Sequence, residues 1–560
     1  VIFSGGSCIE INFENAAEKM SVKDWSVTEL STQVLVIGAG GAGLRAAIAA
    51  RDAGADVMVV TKGKFCDSGA TFQNINGEWG YQASTGVSSR QDRTENHFQE
   101  MVDLGLGMIN NELAWLVAQN AYEKFTDLQA YGVRFKSVED KPLRVTGCFS
   151  NVERAFVTES LDNVRDSFYR VVDNRGVRHL ENIEIIKLLV YEGCCVGALG
   201  VRGESEFVVI SACATVLATG GGGGLFHRNL VPEGLNGDGY VLGYEAGASL
   251  INLEFIQIML GVVTPQEDFF PLKAFLDNPK ILNCFDDEFL NEYYPENALL
   301  RRAYSVRAQH APFSCRDEAR HIDIAIAKEI ISGKCTPKFA ITAKGERGKS
   351  GYQWPEEGLE VSYFFHSFNG GLLINYEAET GVKWLFAAGE VSGGVHGADR
   401  LGGDMMPACQ VIGARAGKSA AISCDGPPEQ HRARLLADVE IGRIAEIEGP
   451  DAIDFTETID HLGWMMWKKC GIIRKEENLF SALRTINSLR DTLSGVKTKN
   501  VIERIAVEKR ITLAEIILKA ALRRRESRGS HYREDFPDKD DSKFGRPLIT
   551  HKDNAKEGEE

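Results

Sequence analysis

Gly38-Ala39-Gly40-Gly41-Ala42-Gly43 sets three glycines at the spacing G-x-G-x-x-G. That spacing suits an anionic dinucleotide. Gly38 permits a tight turn, Gly40 lets a pyrophosphate approach the backbone, and Gly43 lets a helix close on a strand. The partially positive start of that helix then faces the phosphates. Such chemistry requires a strand before the motif and a helix after it, and the sequence has both. Val34-Leu35-Val36-Ile37 is an apolar run of strand type, Gly43 to Ala53 is an alanine-rich helix, and Asp56 to Thr61 is a second strand, giving a βαβ opening. The acid that holds a ribose roughly twenty residues on in NAD enzymes is missing, because the second strand ends in Thr61-Lys62.

The whole chain of 560 residues is long enough for two or three domains around a large interior. Hydrophobic residues at 44% and charged residues at 25% are those of a soluble globular enzyme. A net charge of −16 excludes a nucleic-acid binder, which needs surplus Lys and Arg to neutralise phosphates. No apolar run spans a bilayer; Val34 to Ala50 is interrupted by glycines and by Arg45. The first thirty residues lack the features of a secretory signal, so the expectation is a cytoplasmic protein whose membrane contacts, if any, come through partners. Twelve cysteines are scattered, with only Cys194 and Cys195 adjacent, which argues against an iron–sulfur cluster or structural zinc within the chain, and no metal site is expected.

Further strands read at Ile183 to Tyr191, Val196 to Val201, Phe207 to Ile210 and Thr215 to Ala218, the last running into five glycines. A mixed stretch with short helices such as Asp317 to Ile331 follows, then a strand at Trp384 to Ala388 and a helix after Gly402. Several segments together resemble the flavoprotein family of fumarate reductase, succinate dehydrogenase and L-aspartate oxidase. In order they are VIGAGGAGLRAA with VVTKG, VLATGGGGGLF, NGDGYVLGYEAGA with NLEFIQ, CRDEARHI, HSFNGG, LFAAGEVSGGVHGADRLGG and ESRGSHYREDFP. The resemblance implies an α/β fold: a Rossmann-type FAD-binding domain in two parts (31–250 and 365–425), an inserted α+β capping domain (251–364) and a C-terminal helical region (426–538). A leader (1–30) and a polar tail (539–560) flank these.

By the same resemblance FAD is the cofactor. Its contacts are expected from Gly38, Gly40, Gly41, Ala42 and Gly43; from Thr61 and Lys62; from Ser68, Gly69, Ala70 and Thr71; and from Ala218, Thr219, Gly220 and Gly221. Asp238 is expected close to the cofactor, Glu390 on a ribose-type hydroxyl, and Arg400, Gly403, Met405 and Met406 around the isoalloxazine. Three residues carry the implied chemistry. Arg316 matches the arginine that gives a proton to the substrate carbon opposite the hydride, while His366 and Arg400 match the pair that grips a substrate carboxylate. A planar guanidinium fork suits that grip because it offers two parallel hydrogen bonds. His396 is expected behind these groups, and His310 and His321 are expected to be structural.

Departures from the family pattern shift the substrate expectation. A His-Pro-Thr usually follows the EFxQ segment, but Glu254-Phe255-Ile256-Gln257 runs on to Ile258-Met259-Leu260, so Met259 replaces a substrate-binding histidine. Thr264 to Phe270 replaces the usual Thr-Glu-Gly stretch. Ser68-Gly69-Ala70-Thr71 lacks the histidine that tethers FAD in respiratory members, which implies non-covalent FAD, a lower flavin potential and a preference for reduction. The expected activity is hydride transfer between flavin N5 and the β-carbon of a carboxylate-type substrate, on a catalytic subunit fed by an iron–sulfur partner. An amino-acid oxidase resembling L-aspartate oxidase, and an electron-relay subunit of a larger redox complex, are the alternatives. ESRGSHYREDFP is either a docking or core-closing element or a solvated helix with Arg523-Arg524-Arg525 facing water.

Overall fold

The computed structural model describes residues 21–333, 337–340, 352–451 and 453–552. The chain enters with β1 (Ser26–Ile37), turns into α1 (Gly41–Asp52) and returns as β2 (Val57–Val60). Short β3 (Arg178–Leu180) is followed by three long strands, β4 (Ile183–Tyr191), β5 (Cys194–Arg202) and β6 (Glu206–Leu217). Then come α2 (Asp238–Glu245), β7 (Ile256–Thr264), α3 (Arg320–Ile331), β8 (Leu359–Phe368), β9 (Leu385–Ala387) and α4 (Met405–Ile422). The main sheet has the order β3-β2-β1-β6-β5-β4, with β9 joining β6 beyond the end of β5. β1, β2, β3, β6 and β9 are parallel neighbours, so the ends of β1, β6 and β9 converge on one rim. Ligands of open parallel sheets bind at such a rim.

Residues 1–20 of the expected leader lie outside the described residues. Its last part is not a leader: Val22 and Trp25 are buried, Trp25 packs on Phe207 with ring centroids 4.9 Å apart, and Ser26 already pairs with Glu206. Phe207 to Ile210 and Thr215 to Ala218 are also one strand rather than two. The polar break between them is absorbed because Ser211 Oγ donates to Leu30 O on the neighbouring strand.

A second sheet of five strands stands over the rim, with β7 and β8 antiparallel at its centre. Their register slips by one residue: Gln257 pairs with Ser367 while Ile258 pairs with Phe365, leaving His366 as the extra residue of a bulge. A bulge turns both of its residues toward one side of the sheet. Behind the first sheet, α4 lies hard on α1, where a Cβ at Gly417 would come within 2.0 Å of Ala46 O. Helices Gln430–Ile447, Thr456–Lys469, Glu476–Ser494 and Val501–Arg523 complete the body. The expected polar tail is part of the fold up to residue 552, since Ile549–Thr550 adds a strand to Leu250–Ile251 and buries backbone groups there.

Candidate active site

The rim of the main sheet forms a glycine-walled cleft. Gly38 ends β1 at φ +110°, and a Cβ there would stand 2.3 Å from Ala218 O; one on Gly43 would stand 1.9 Å from Gly38 O. Strand, turn and helix therefore touch through backbone, which only glycine allows. Gly38, Gly40, Ser68, Gly69, Thr219, Gly220, Glu390, Gly402, Gly403 and Met405 are all partly exposed, although the strands that deliver them are buried. The resulting open track fits a dinucleotide. Gly40, before α1, contributes no side-chain cap, and Thr71 Oγ1 accepts from Gly41 N at 2.9 Å. Thr219 Oγ1 is buried without a hydrogen-bond partner, and Ala42 and Gly221 lie in the same walls.

Lys62 and Asp238 are brought together, 3.6 Å apart, and Thr61 is buried beside them. Burial opposes ionisation of Asp238, yet Lys509 and Lys62 outweigh it and hold the carboxyl below its ordinary range. Glu184, 3.1 Å from Lys62, and Lys509 were not foreseen. Ala70, in contrast, is exposed, and Ser68 Oγ turns back to Lys64 O. Glu390 follows β9. One of its oxygens accepts from Phe368 N at 2.9 Å, and burial pushes its carboxyl up to about 7 against the opposing pull of that N–H and of Arg400.

The loop from Gly402 to Met406 reaches the same cleft: a Cβ on Gly41 would touch Met406 Cε at 3.2 Å. Helix α4 starts here without a side-chain cap, because the carboxylate of Asp404 is turned onto His97 Nε2 at 2.9 Å. Burial opposes ionisation of Asp404, but His97 outweighs it and keeps the carboxyl low. The uncapped amides of this helix start suit a negatively charged group. Neither His97 nor Asp404 is legible from spacing, since 307 residues separate them.

Where the second sheet meets the rim, β7 and β8 present Gln257, His366 and Ser367 to Arg400. Arg400 is only 7% exposed, and its Nη2 donates to Gln257 Oε1 at 2.7 Å and, more weakly, to Ser367 Oγ at 3.4 Å. Ser367 Oγ in turn donates to Gln257 Oε1 at 2.8 Å. Among the described residues no carboxylate forms an ion pair with Arg400. Arg307 and Arg524 differ, meeting Asp323 and Glu254 with Glu526, while Arg474, which likewise meets no carboxylate among the described residues, is held by the carbonyls of Gly471 and Glu254 and by His531. Arg400 Nε, Gln257 Nε2 and His396 Nε2 are buried without partners. His366 keeps some exposure, and burial with the field of Arg400 pushes its imidazole down to about 3, so it is neutral at physiological pH. His396 is pushed down to about 3 by the same two causes.

Arg316 approaches from the segment before α3. It is exposed and lies over the Phe149 ring, 5.5 Å from the centroid. Ser314 Oγ, two residues earlier, donates to Asp399 Oδ2 at 2.7 Å, next to Arg400 in the chain. Asp399 Oδ1 has no partner, and burial pushes this carboxyl up to about 6, opposed by Ser314 and by the charge of Arg316. His310 Nδ1 donates to Pro312 O at 2.9 Å, and His321 packs against Tyr293 and Tyr294.

The ESRGSHYREDFP segment closes the core rather than facing solvent. Arg524 is fully buried, and Cys315 N donates to Gly529 O at 2.7 Å while Ser530 N donates to Ala398 O at 3.1 Å. Among the described residues no helix is long and apolar enough to cross a membrane.

Residues 33–270 match the FAD binding domain family, and residues 459–560 match the fumarate reductase flavoprotein C-terminal family. The chain is 32% identical to a polypeptide of the CoM/CoB fumarate reductase of Methanothermobacter marburgensis, over 90% of this chain and 94% of that protein. It is 28% identical to the L-aspartate oxidase of Halobacterium salinarum, over 90% and 97%. Among solved structures, Mycobacterium smegmatis Sdh1 in its apo complex superposes with a TM-score of 0.77 at 26% identity, covering 92% of this chain and 90% of that one.

Proposed function

The chain belongs to the flavoprotein family of fumarate reductase, succinate dehydrogenase and L-aspartate oxidase, and on that footing we propose that it reduces the activated double bond of an unsaturated carboxylic acid. It is an FAD-dependent oxidoreductase acting on CH–CH bonds. The observation that carries the substrate reading is Arg400, a buried cation that feels the field of Glu390 and Asp404 but forms no ion pair with a carboxylate among the described residues, beside the unpartnered donors Arg400 Nε and Gln257 Nε2. A buried charge is costly without a counter-charge, and a substrate carboxylate supplies one.

In this reading Arg400 binds the carboxylate through its fork, Gln257 Nε2 donates beside it, and the neutral His366 donates without adding charge. These donors stabilise the enolate charge that develops as the double bond is attacked. FAD, when bound, would supply the hydride that the β-carbon takes up. Arg316 gives a proton to the α-carbon as the π bond breaks, so two C–H bonds replace it, and its exposure lets it regain a proton from solvent. The β7–β8 sheet over the rim keeps water from the reacting carbons.

FAD is held without a covalent link, since Ser68 to Thr71 offer no histidine, and acid precipitation of the protein is expected to release it. Electrons reach the flavin from an iron–sulfur partner protein, and the enzyme works in the cytoplasm or at a membrane through its partners. The test is anaerobic: reduce the holoprotein, add a panel of unsaturated acids, and follow return of the oxidised flavin spectrum. Reoxidation by at least one acid is expected. If no acid responds while a redox partner exchanges electrons rapidly, the reductase reading is wrong and the chain is a relay.

A further inference from the structure

Beyond the carboxylate grip the site changes character. On β7 the residue two beyond Gln257 is Met259, and residues two apart on a strand share a face. Met259 keeps solvent contact although Ile258 and Leu260 on either side are buried. It stands between the two halves of the site. On one flank it pairs with Phe364 of β8, two residues from His366, and on the other it bridges Pro312 on the segment that leads to Arg316. Phe269 meets the His366 ring edge-on with centroids 5.8 Å apart. Phe149 carries Arg316 on its face, and its neighbour Cys148 accepts from Gly402 N at 3.0 Å, which fixes that ring beside the 402–406 loop. A thioether and two aromatic rings therefore flank His366 and Arg316, and the Arg400 clamp sits on Gln257, two residues along β7. Arg228, on the far edge of β8, is held over Phe364 and paired with Glu267.

We propose that the substrate is an α,β-unsaturated monocarboxylate with an apolar, preferably aromatic, group on its β-carbon, and that Met259 and Phe269 select it against C4 dicarboxylates. The inference rests on the reductase reading above. A second carboxylate placed against Met259 and Phe269 would lose its water and meet a thioether and a ring, with His366 already given to the first carboxylate, whereas an aryl or alkyl group there buries apolar surface. Rejection of a group that leaves a buried charge unpaired is strong, while an apolar pocket gains moderately from each added carbon.

The experiment uses anaerobic, reduced holoprotein and the saturated acids, which a reduced flavin cannot oxidise, so binding is read apart from turnover. Calorimetric titration with 3-phenylpropionate and with succinate is expected to show a preference for the aryl acid of about 30-fold or more. Anaerobic reoxidation of the reduced holoprotein by cinnamate and by fumarate is expected to show the same order. Met259→His, which puts a donor back at this position, is expected to narrow the preference about tenfold while leaving FAD content unchanged. Succinate and fumarate favoured in the natural protein would overturn the specificity inference and leave the reductase reading standing. Neither acid binding nor reoxidising the flavin would overturn both. An aryl preference that Met259→His leaves untouched would remove Met259 from the argument.

Discussion

Arg400 and Arg307 are both buried arginines, and the structure assigns them opposite stability effects. Replacing Arg400 by Met removes a cation that meets only Gln257, Ser367 and, at 3.5 Å, Leu401 O. Gln257 Oε1 is not stranded, because Ser367 Oγ still donates to it at 2.8 Å. Asp404 keeps His97, and Glu390, pushed up to about 7, is mostly protonated in mildly acidic buffer. Apolar replacement of a buried charge that strands no partner is neutral or stabilising by about 1–4 kcal/mol. Arg307 differs. Its guanidinium lies 2.9 Å from Asp323 Oδ2 and also reaches Ala311 O at 3.0 Å, so Arg307→Met strands a buried carboxylate. Only the Tyr363 hydroxyl, 3.1 Å from Asp323 Oδ1, remains to hold it. That change is expected to cost about 3–5 kcal/mol.

Urea unfolding of the two holoproteins at one FAD concentration, without substrate and at about pH 6, reads the difference as a shift in midpoint at constant slope. Activity is expected to move the other way for Arg400→Met. Loss of two charge-assisted hydrogen bonds, each about 1.5–3 kcal/mol, lowers kcat/KM by roughly 100-fold to 10,000-fold. A stability loss in Arg400→Met as large as in Arg307→Met would show that Arg400 has a protein counter-charge, and the carboxylate reading would lose its support.

Glu390 gives a pH signature. Its folded carboxyl stands at about 7, above the ordinary 4.5, so its contribution to stability is complete below the ordinary value and is lost as pH rises through about 7. On the proposed role of Glu390 a ribose hydroxyl would donate to the ionised form, and FAD binding would then release a proton. FAD affinity of the apoprotein is therefore expected to rise between about pH 5 and about pH 8, and Glu390→Gln to flatten that rise in a fluorescence titration. Gly38→Ala places a Cβ 2.3 Å from Ala218 O at a left-handed φ, and flavin absorbance per mole of purified protein is expected to fall to less than about a tenth. Glu526 lies between Arg524 and Arg528, so Glu526→Gln is expected to lower stability by about 3–5 kcal/mol in the same urea assay, without a first effect on substrate selectivity.

What was legible in the sequence follows the range of the interactions. The G-x-G-x-x-G turn is local, and its strand, turn and helix stand where the periodicity puts them, with α1 at Gly41–Asp52. Arg316, His366 and Arg400 could be singled out only because whole motifs resemble a family, since an isolated arginine carries no sign of its partner. Gln257 was visible as part of NLEFIQ but not as the group that orients Arg400, because 143 residues separate the two. The one-residue slip that exposes His366 leaves no trace in the alternation of β8. Arg523-Arg524-Arg525 reads as a charge run, yet Arg524 is fully buried on Glu254 while Arg525 reaches Glu476 at the surface. A run of like charges says nothing about which member turns inward; that depends on an acid placed by a distant segment.

The last of those distant segments explains how three arms hold one site. Arg316 and Arg400 come from parts of the chain that meet only through folding: Ser314 and Asp399, joined at 2.7 Å, are 85 residues apart. Gly529 and Ser530 tie the same two strands of backbone from the other side, taking Cys315 N on Gly529 O and giving Ser530 N and Oγ to Ala398 O. Gly529 has a φ of +52°, and a Cβ there would come within 2.6 Å of Ala398 O, so the loop lies flat on the backbone it binds. The loop is itself anchored by Arg528 on Glu526 and by His531 on Arg474. On the proposed reading two guanidinium groups act on one small acid, and to do so together they must keep their spacing to a fraction of an ångström. Long arginine side chains do not keep such a spacing by themselves; backbone pinned on both sides, two residues from Arg400 and one from Arg316, does.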